Sequence, residues 1–233
     1  MSLRDEDEPP DPILVLKTYG RIAISDAVTI FVLSLLYFVA SLSIVTIGPA
    51  LLALMDAFYS SVSHTGTGGG APASTRGRAS QFVSSIWTYL WAGLPYTVAV
   101  IVAVYSLYTY SVLALSGGTA QALIFGVVGM YTVVLVFVLL FRAADIVVRA
   151  DENERPGFFS ALRKAWGSLG SNVAFAATHV VTAIAVTIAS LIFIVTAICF
   201  LPGLLALLEL LNYEELDGAG AKAIRYAYLD PQT

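Results

Sequence analysis

The sequence predicts an all-α, polytopic transmembrane bundle. Two observations carry this. Of 233 residues, 58% are apolar and only 12% are charged, about half the charge of an ordinary soluble domain. No Asp, Glu, Lys or Arg occurs at 27–55, 79–141 or 165–208. A helix that crosses a core of about 30 Å needs roughly 20 apolar residues, so the first gap holds at least one span, the second two and the third one.

The chain opens with MSLRDEDEPPDP, acidic and carrying a proline pair. A secretory signal would have a basic start beside a short apolar core. Residues 1–12 are therefore expected to be a retained, disordered acidic tail. Residues 13–216 form one transmembrane domain, and 217–233 a cytoplasmic tail. Within the domain, 64–80 carries HTGTGGGAPASTRGR and reads as a flexible cytoplasmic linker. It lacks the GxxxxGK[ST] ending of a phosphate loop.

The long spans are expected at 25–46, 95–115, 119–142 and 172–198. Four spans alone would divide the twelve basic residues seven to five, which sets no orientation. If the chain also turns back at Gly48-Pro49 and Leu201-Pro202, all twelve fall on one face. Lys and Arg mark the cytoplasmic side, and proline suits the first turn of a new helix. The expected fold is three hairpins, four long spans plus short return arms at 49–59 and 202–213, in the cell membrane with both termini on its cytoplasmic side. At 1.5 Å per residue the second arm covers only about 18 Å.

The two arms repeat one another. PALLALMD (49–56) and PGLLALLE (202–209) share five of eight positions, and both end on an acid. Amphipathic stretches precede the hairpins. QFVSSIWTYLW (81–91) and FFSALRKAWGSL (158–169) together hold all three tryptophans, as suits helices at a headgroup boundary. ILVLKTYGRIA (13–23) is a weaker third case.

VTIGPALLAL (45–54), the aromatic FVSSIWTYLW (82–91) and FFSALRKAW (158–166) resemble the YesL-like integral membrane proteins, over roughly 20–213. That family has no defined molecular function. The resemblance implies an association with oligosaccharide uptake, as a permease or an accessory to one, and supplies no catalytic residues. The glycine-rich linker departs from the family's short basic one.

Among single residues, Asp56 and Glu209 stand out, because ionisable groups at membrane depth are candidates for function. Either they line a polar path, paired through a shared proton, or the short arms deliver them to the cytoplasmic interface. His179 lies two turns into the last long span, as a proton relay or as a hydrogen-bonding partner of a neighbouring helix. Arg142, Asp145 and Arg149 fall on one helical face, as an ion-pair ladder or a docking surface for a cytoplasmic partner. Tyr105, Tyr108 and Tyr110 read as interfacial anchors or a sugar-stacking platform. Gly126 and Gly129 fit close helix packing. Cys199, the only cysteine, has no partner for an internal disulfide.

No metal-ligand spacing, catalytic triad or cofactor fingerprint is present, so an enzyme, a metal and a cofactor are not expected. The net charge of −4 argues against nucleic acid. The expected partners are the lipid bilayer and transporter subunits or another membrane protein. A permease or transport accessory for a polar, sugar-like solute is the first functional expectation. A scaffold or regulator working through its cytoplasmic face is the alternative.

Overall fold

A computed structural model describes residues 10–66, 74–218, 220 and 224, without the side chains of 61–66. Among the described residues every regular element is helical. The ten α-helices are α1 (Pro12–Ser25), α2 (Ala27–Ser41), α3 (Ile47–Gly66), α4 (Thr75–Thr88), α5 (Leu90–Ser116), α6 (Ala120–Arg149), α7 (Phe158–Ser171), α8 (Val173–Leu191), α9 (Ile194–Cys199) and α10 (Leu201–Asp217).

Helix starts follow from the sequence. Asp11 caps α1 by accepting the N–H groups of Ile13 and Leu14. Ser74, Thr119 and Asn172 cap α4, α6 and α8 in the same way. A side-chain acceptor here satisfies a donor that has no partner within the helix. Gly118, at φ 61°, makes the tight turn from α5 to α6, a conformation glycine adopts without strain.

Three helices are long and apolar enough to cross a membrane: α5, α6 and α8. A fourth crossing exists if α1 and α2, bent by 83° at Asp26, count as one. The long helices differ from the expected spans: α5 starts at Leu90 rather than at 95, and α6 runs on to Arg149 rather than ending at 142. The 25–46 span is shorter, because α2 ends at Ser41 and a 3-10 turn (Ile44–Thr46) leads into α3. The 172–198 span is broken at 192–193, after which α9 is a separate short helix. The linker also differs. Within 64–80, residues 75–80 are the start of α4, because Ser74 supplies a cap and the amphipathic pattern already runs from there. The glycine run at 67–70 lies outside the described residues, as do 1–9 and nearly all of 219–233.

Burial is inverted relative to a water-soluble protein. Val98, Val102, Tyr105, Ile124, Phe125, Val128 and Ile188 on the long helices are exposed, a broad apolar exterior that suits lipid rather than water. The centre is filled by the two proline-initiated helices. In α3 every residue of 50–58 is buried except Asp56, and in α10 every residue of 206–212 is buried. Helices apolar on all sides belong inside a bundle.

Each proline helix docks through a glycine and a hydroxyl. The Gly48 N–H donates to Thr97 Oγ1 of α5 at 2.9 Å, and the Gly203 N–H donates to Ser34 Oγ of α2 at 2.9 Å. A Cβ on Gly48 would lie 2.0 Å from the Gly93 carbonyl oxygen, so α3 and α5 approach as closely as two backbones allow. Gly126 and Gly129 of α6 likewise sit against Ala114 and Tyr110 of α5.

The packing partners follow a cyclic order. α3 lies on α4 and α5, α6 on α7 and α8, and α10 on α1 and α2, while α3, α6 and α10 touch one another. The helices α1, α4 and α7 are each 14 residues long. A single residue separates each from the next helix. Their buried positions coincide. Val15, Arg78 and Ala161 are fourth in their helices, and Tyr19, Phe82 and Ala165 are eighth.

Candidate functional site

The most polar part of the interior lies where α6, α7, α8 and α10 meet. Arg142 of α6 is completely buried. Its Nη1 donates to Glu209 Oε1 at 2.9 Å, and its Nη2 donates to Ser168 Oγ of α7 at 3.0 Å. Ser168 in turn donates to Asp217 Oδ2 at 2.6 Å. On the far side of Glu209, the Oε2 atom stands 3.4 Å from His179 Nε2 of α8.

Two turns along α6 the pattern continues. Arg149 Nε donates to Asp145 Oδ2 at 3.0 Å, and its Nη1 donates to Glu214 Oε1. Tyr213 lies between the two guanidinium groups, its ring centroid 4.9 Å from Arg142 Cζ and 4.1 Å from Arg149 Cζ. Tyr59 of α3 covers Arg149 at 4.5 Å. An aromatic face at this range attracts a cation, more strongly where water is excluded. Two guanidinium groups thus face four carboxyl groups in a connected, largely buried network.

Five buried atoms of the network have no hydrogen-bond partner among the described residues: Arg142 Nε, Asp145 Oδ1, Arg149 Nη2, Glu209 Oε2 and His179 Nδ1. The last two belong to residues that line a cavity of about 220 Å³ between α5, α6, α8 and α10. The rest of its wall is almost wholly apolar, including Val133, Phe137, Phe141, Ala183 and Leu205, with Thr187 as a further polar group. Burying a polar group without a partner is costly, so the free carboxylate oxygen can take a donor from whatever fills the cavity, water included.

Asp56 belongs to a different setting. Its Oδ2 accepts from Gln81 Nε2 at 3.1 Å and from Ser85 Oγ, both on α4. Tyr89 also hydrogen-bonds it, and the Tyr89 hydroxyl is pushed up to about 12, first by burial and then by the Asp56 carboxylate. Arg155 lies over the Tyr89 ring at 4.8 Å. Nearby, Arg78 pairs with Asp26 at the bend between α1 and α2.

Two sequence expectations are corrected here. Asp56 and Glu209 do not share a proton. Each is held by its own partners, because the inner helix α6 brings Arg142 to Glu209 whereas Asp56 meets the neutral face of α4. Arg142, Asp145 and Arg149 do not form an open docking face. Arg142 and Asp145 are 0% exposed, and their helical face turns onto α10 rather than outward. His179 and Glu209 are brought together, a pairing invisible in the sequence because 30 positions separate them. Sequence reasoning missed Ser168, Tyr213 and Glu214. The only available signal was that Tyr213 follows Glu209 by four residues, on the same face of one helix.

Comparison with family profiles, curated proteins and solved structures returns no match.

Proposed function

We propose that the chain is a multi-pass protein of the cell membrane that moves a small solute, as a permease or as the membrane subunit of a transport system. The observation that carries this reading is the buried Arg142–Glu209–His179 group opening on the cavity between α6 and α8. Among the unpartnered atoms of the network, Glu209 Oε2 and His179 Nδ1 are the ones whose residues line the cavity. Charges in membrane bundles characteristically line solute and proton paths. The sugar-like solute implied by the YesL-like resemblance fits this wall poorly, since a sugar needs many hydrogen-bonding groups and the cavity offers few. The burial of Arg142 and Asp145 removes one candidate docking face from the scaffold alternative and leaves the rest of its cytoplasmic surface.

The accompanying topology is three units, each an interfacial helix followed by a hairpin, around an axis along the membrane normal. The cyclic packing of α3, α6 and α10 on the following unit supports it. Both termini are then cytoplasmic. In a Cys199→Ser background, cysteines at Ser43, Ser116 and Phe193 should react with an impermeant thiol reagent from outside, and one at Asn153 should not. External labelling at Asn153 overturns this topology.

Transport itself is tested in proteoliposomes with labelled sugars and labelled small amines. Uptake above empty vesicles, reduced at least tenfold by Glu209→Gln in a variant that still purifies as a folded protein, is the expected result. Absence of uptake for every solute, together with co-purification of a transporter from native membranes, retires the permease and leaves the accessory subunit.

A further inference from the structure

The cavity's chemistry defines its ligand more narrowly. We propose that it binds a small organic cation, an apolar body of about one ring carrying a single ammonium group, with the ammonium between Glu209 Oε2 and a His179 ring nitrogen. This rests on the transport reading only for its purpose; the binding site stands on geometry alone.

Size comes first. An engineered apolar cavity of ~150 Å³ takes up benzene. At about 220 Å³ this one has room for a ring and a short tail. Shape and lining agree. Val133, Val138, Phe137, Phe141, Ala183 and Leu205 form the wall, with Glu209 one turn from Leu205 on α10 and His179 one turn from Ala183 on α8. Such a site places an apolar body against the wall and a single polar group at one end.

Charge selects the sign. The network holds Arg142 and Arg149 against Asp145, Glu209, Glu214 and Asp217, two positive groups facing four acidic ones. Among the described residues, Glu209 is the only carboxyl group in the cavity wall and no Arg or Lys lines it, so an anion meets an acceptor with no cation in reach, and a neutral hydroxyl satisfies the free oxygen without matching its charge. An ammonium supplies donors to Glu209 Oε2, and one can reach an unprotonated His179 nitrogen. Hydrogen bonds between charged groups are the strong ones. A metal ion is a poorer fit, because among the described residues no group of three His, Cys, Asp or Glu converges.

The experiment measures binding of 2-phenylethylamine, 2-phenylethanol and 3-phenylpropanoate to the whole protein in lipid nanodiscs, by calorimetry at neutral pH. The amine is expected to bind at least tenfold tighter than the alcohol, and the carboxylate not at all. Ala183→Leu fills the cavity without touching the ion network and should abolish amine binding. Glu209→Gln should erase the preference of amine over alcohol. If that variant does not fold, Ala183→Leu still decides the case. Equal binding of amine and alcohol overturns the proposal and leaves a plain apolar pocket suited to a lipid chain. Amine binding that survives Ala183→Leu, or no binding by any probe, overturns it as well. Amine binding without flux retires the transport reading alone, and flux without amine preference retires this inference alone.

Discussion

The helices α3 and α10 begin with nearly the same eight residues and end in different surroundings. Both carry a proline in their first turn, both dock a glycine N–H on a neighbouring hydroxyl, and both are buried along their centre. Seven residues beyond its proline, each carries an acid. Asp56 is only partly buried and takes neutral donors from Gln81 and Ser85. Glu209 is 1% exposed and takes a guanidinium on one oxygen, with the His179 ring 3.4 Å from the other. The local sequence therefore sets how a helix enters the bundle, and the helix packed beside it sets what its acid becomes. An acid near solvent is served by hydroxyl and amide donors. A fully buried one needs a compensating charge, because its own desolvation is expensive.

The sharpest way to break this contrast is at Arg142. Arg142→Met leaves Glu209 buried beside no cation, and losing one partner of a buried pair costs about 3–5 kcal/mol. Thermal unfolding in detergent should show a large loss. The double variant Arg142→Met with Glu209→Leu should recover at least half of it. If the single variant is as stable as the parent, the carboxyl is not held by the guanidinium and the contrast with Asp56 disappears.

The docking glycines give a middle-sized test. Gly48→Ala drives a Cβ against the Gly93 carbonyl and the Thr97 N–H, both backbone. Overpacking of this kind costs roughly 1–3 kcal/mol. Gly203→Ala meets first the Ser34 hydroxyl at 2.7 Å and the Ile30 methyl at 3.0 Å, and a side chain can shift. Its loss should be the smaller of the two by unfolding in the same detergent. The reverse order would show that α10 is seated more tightly on α2 than α3 on α5.

The smallest effect is expected at Asp56. An Asn there still presents a carbonyl oxygen to Gln81 and Ser85, so Asp56→Asn should cost no more than about 1 kcal/mol, the ordinary worth of a hydrogen bond. The same assay on Glu209→Gln should show a clearly greater loss. Equal losses would mean that the two acids do the same work after all.

Much of the fold was legible in the residues. The charge-free gaps marked α5, α6 and α8. The prolines fell in the first turns of α3 and α10, and the tryptophan-bearing stretches fell on α7 and on the junction of α4 with α5. The short length of α2 and the break after α8 were not legible, because a continuous apolar run is compatible with either one helix or two. The site was visible only in pieces. Glu209, His179, Arg142, Asp145 and Arg149 each drew notice, but as separate features with separate readings.

By itself the sequence determined the medium and the segments. Hydropathy and charge placement depend on composition along the chain, and proline acts on its own backbone wherever it stands. Only the tertiary structure decided which acid meets which base. Arg142 and Glu209 are 67 residues apart, and no periodicity encodes their meeting. That choice rests on which faces of α6, α8 and α10 pack together, on the cavity left where those faces do not close, and on the cost of leaving a buried charge alone.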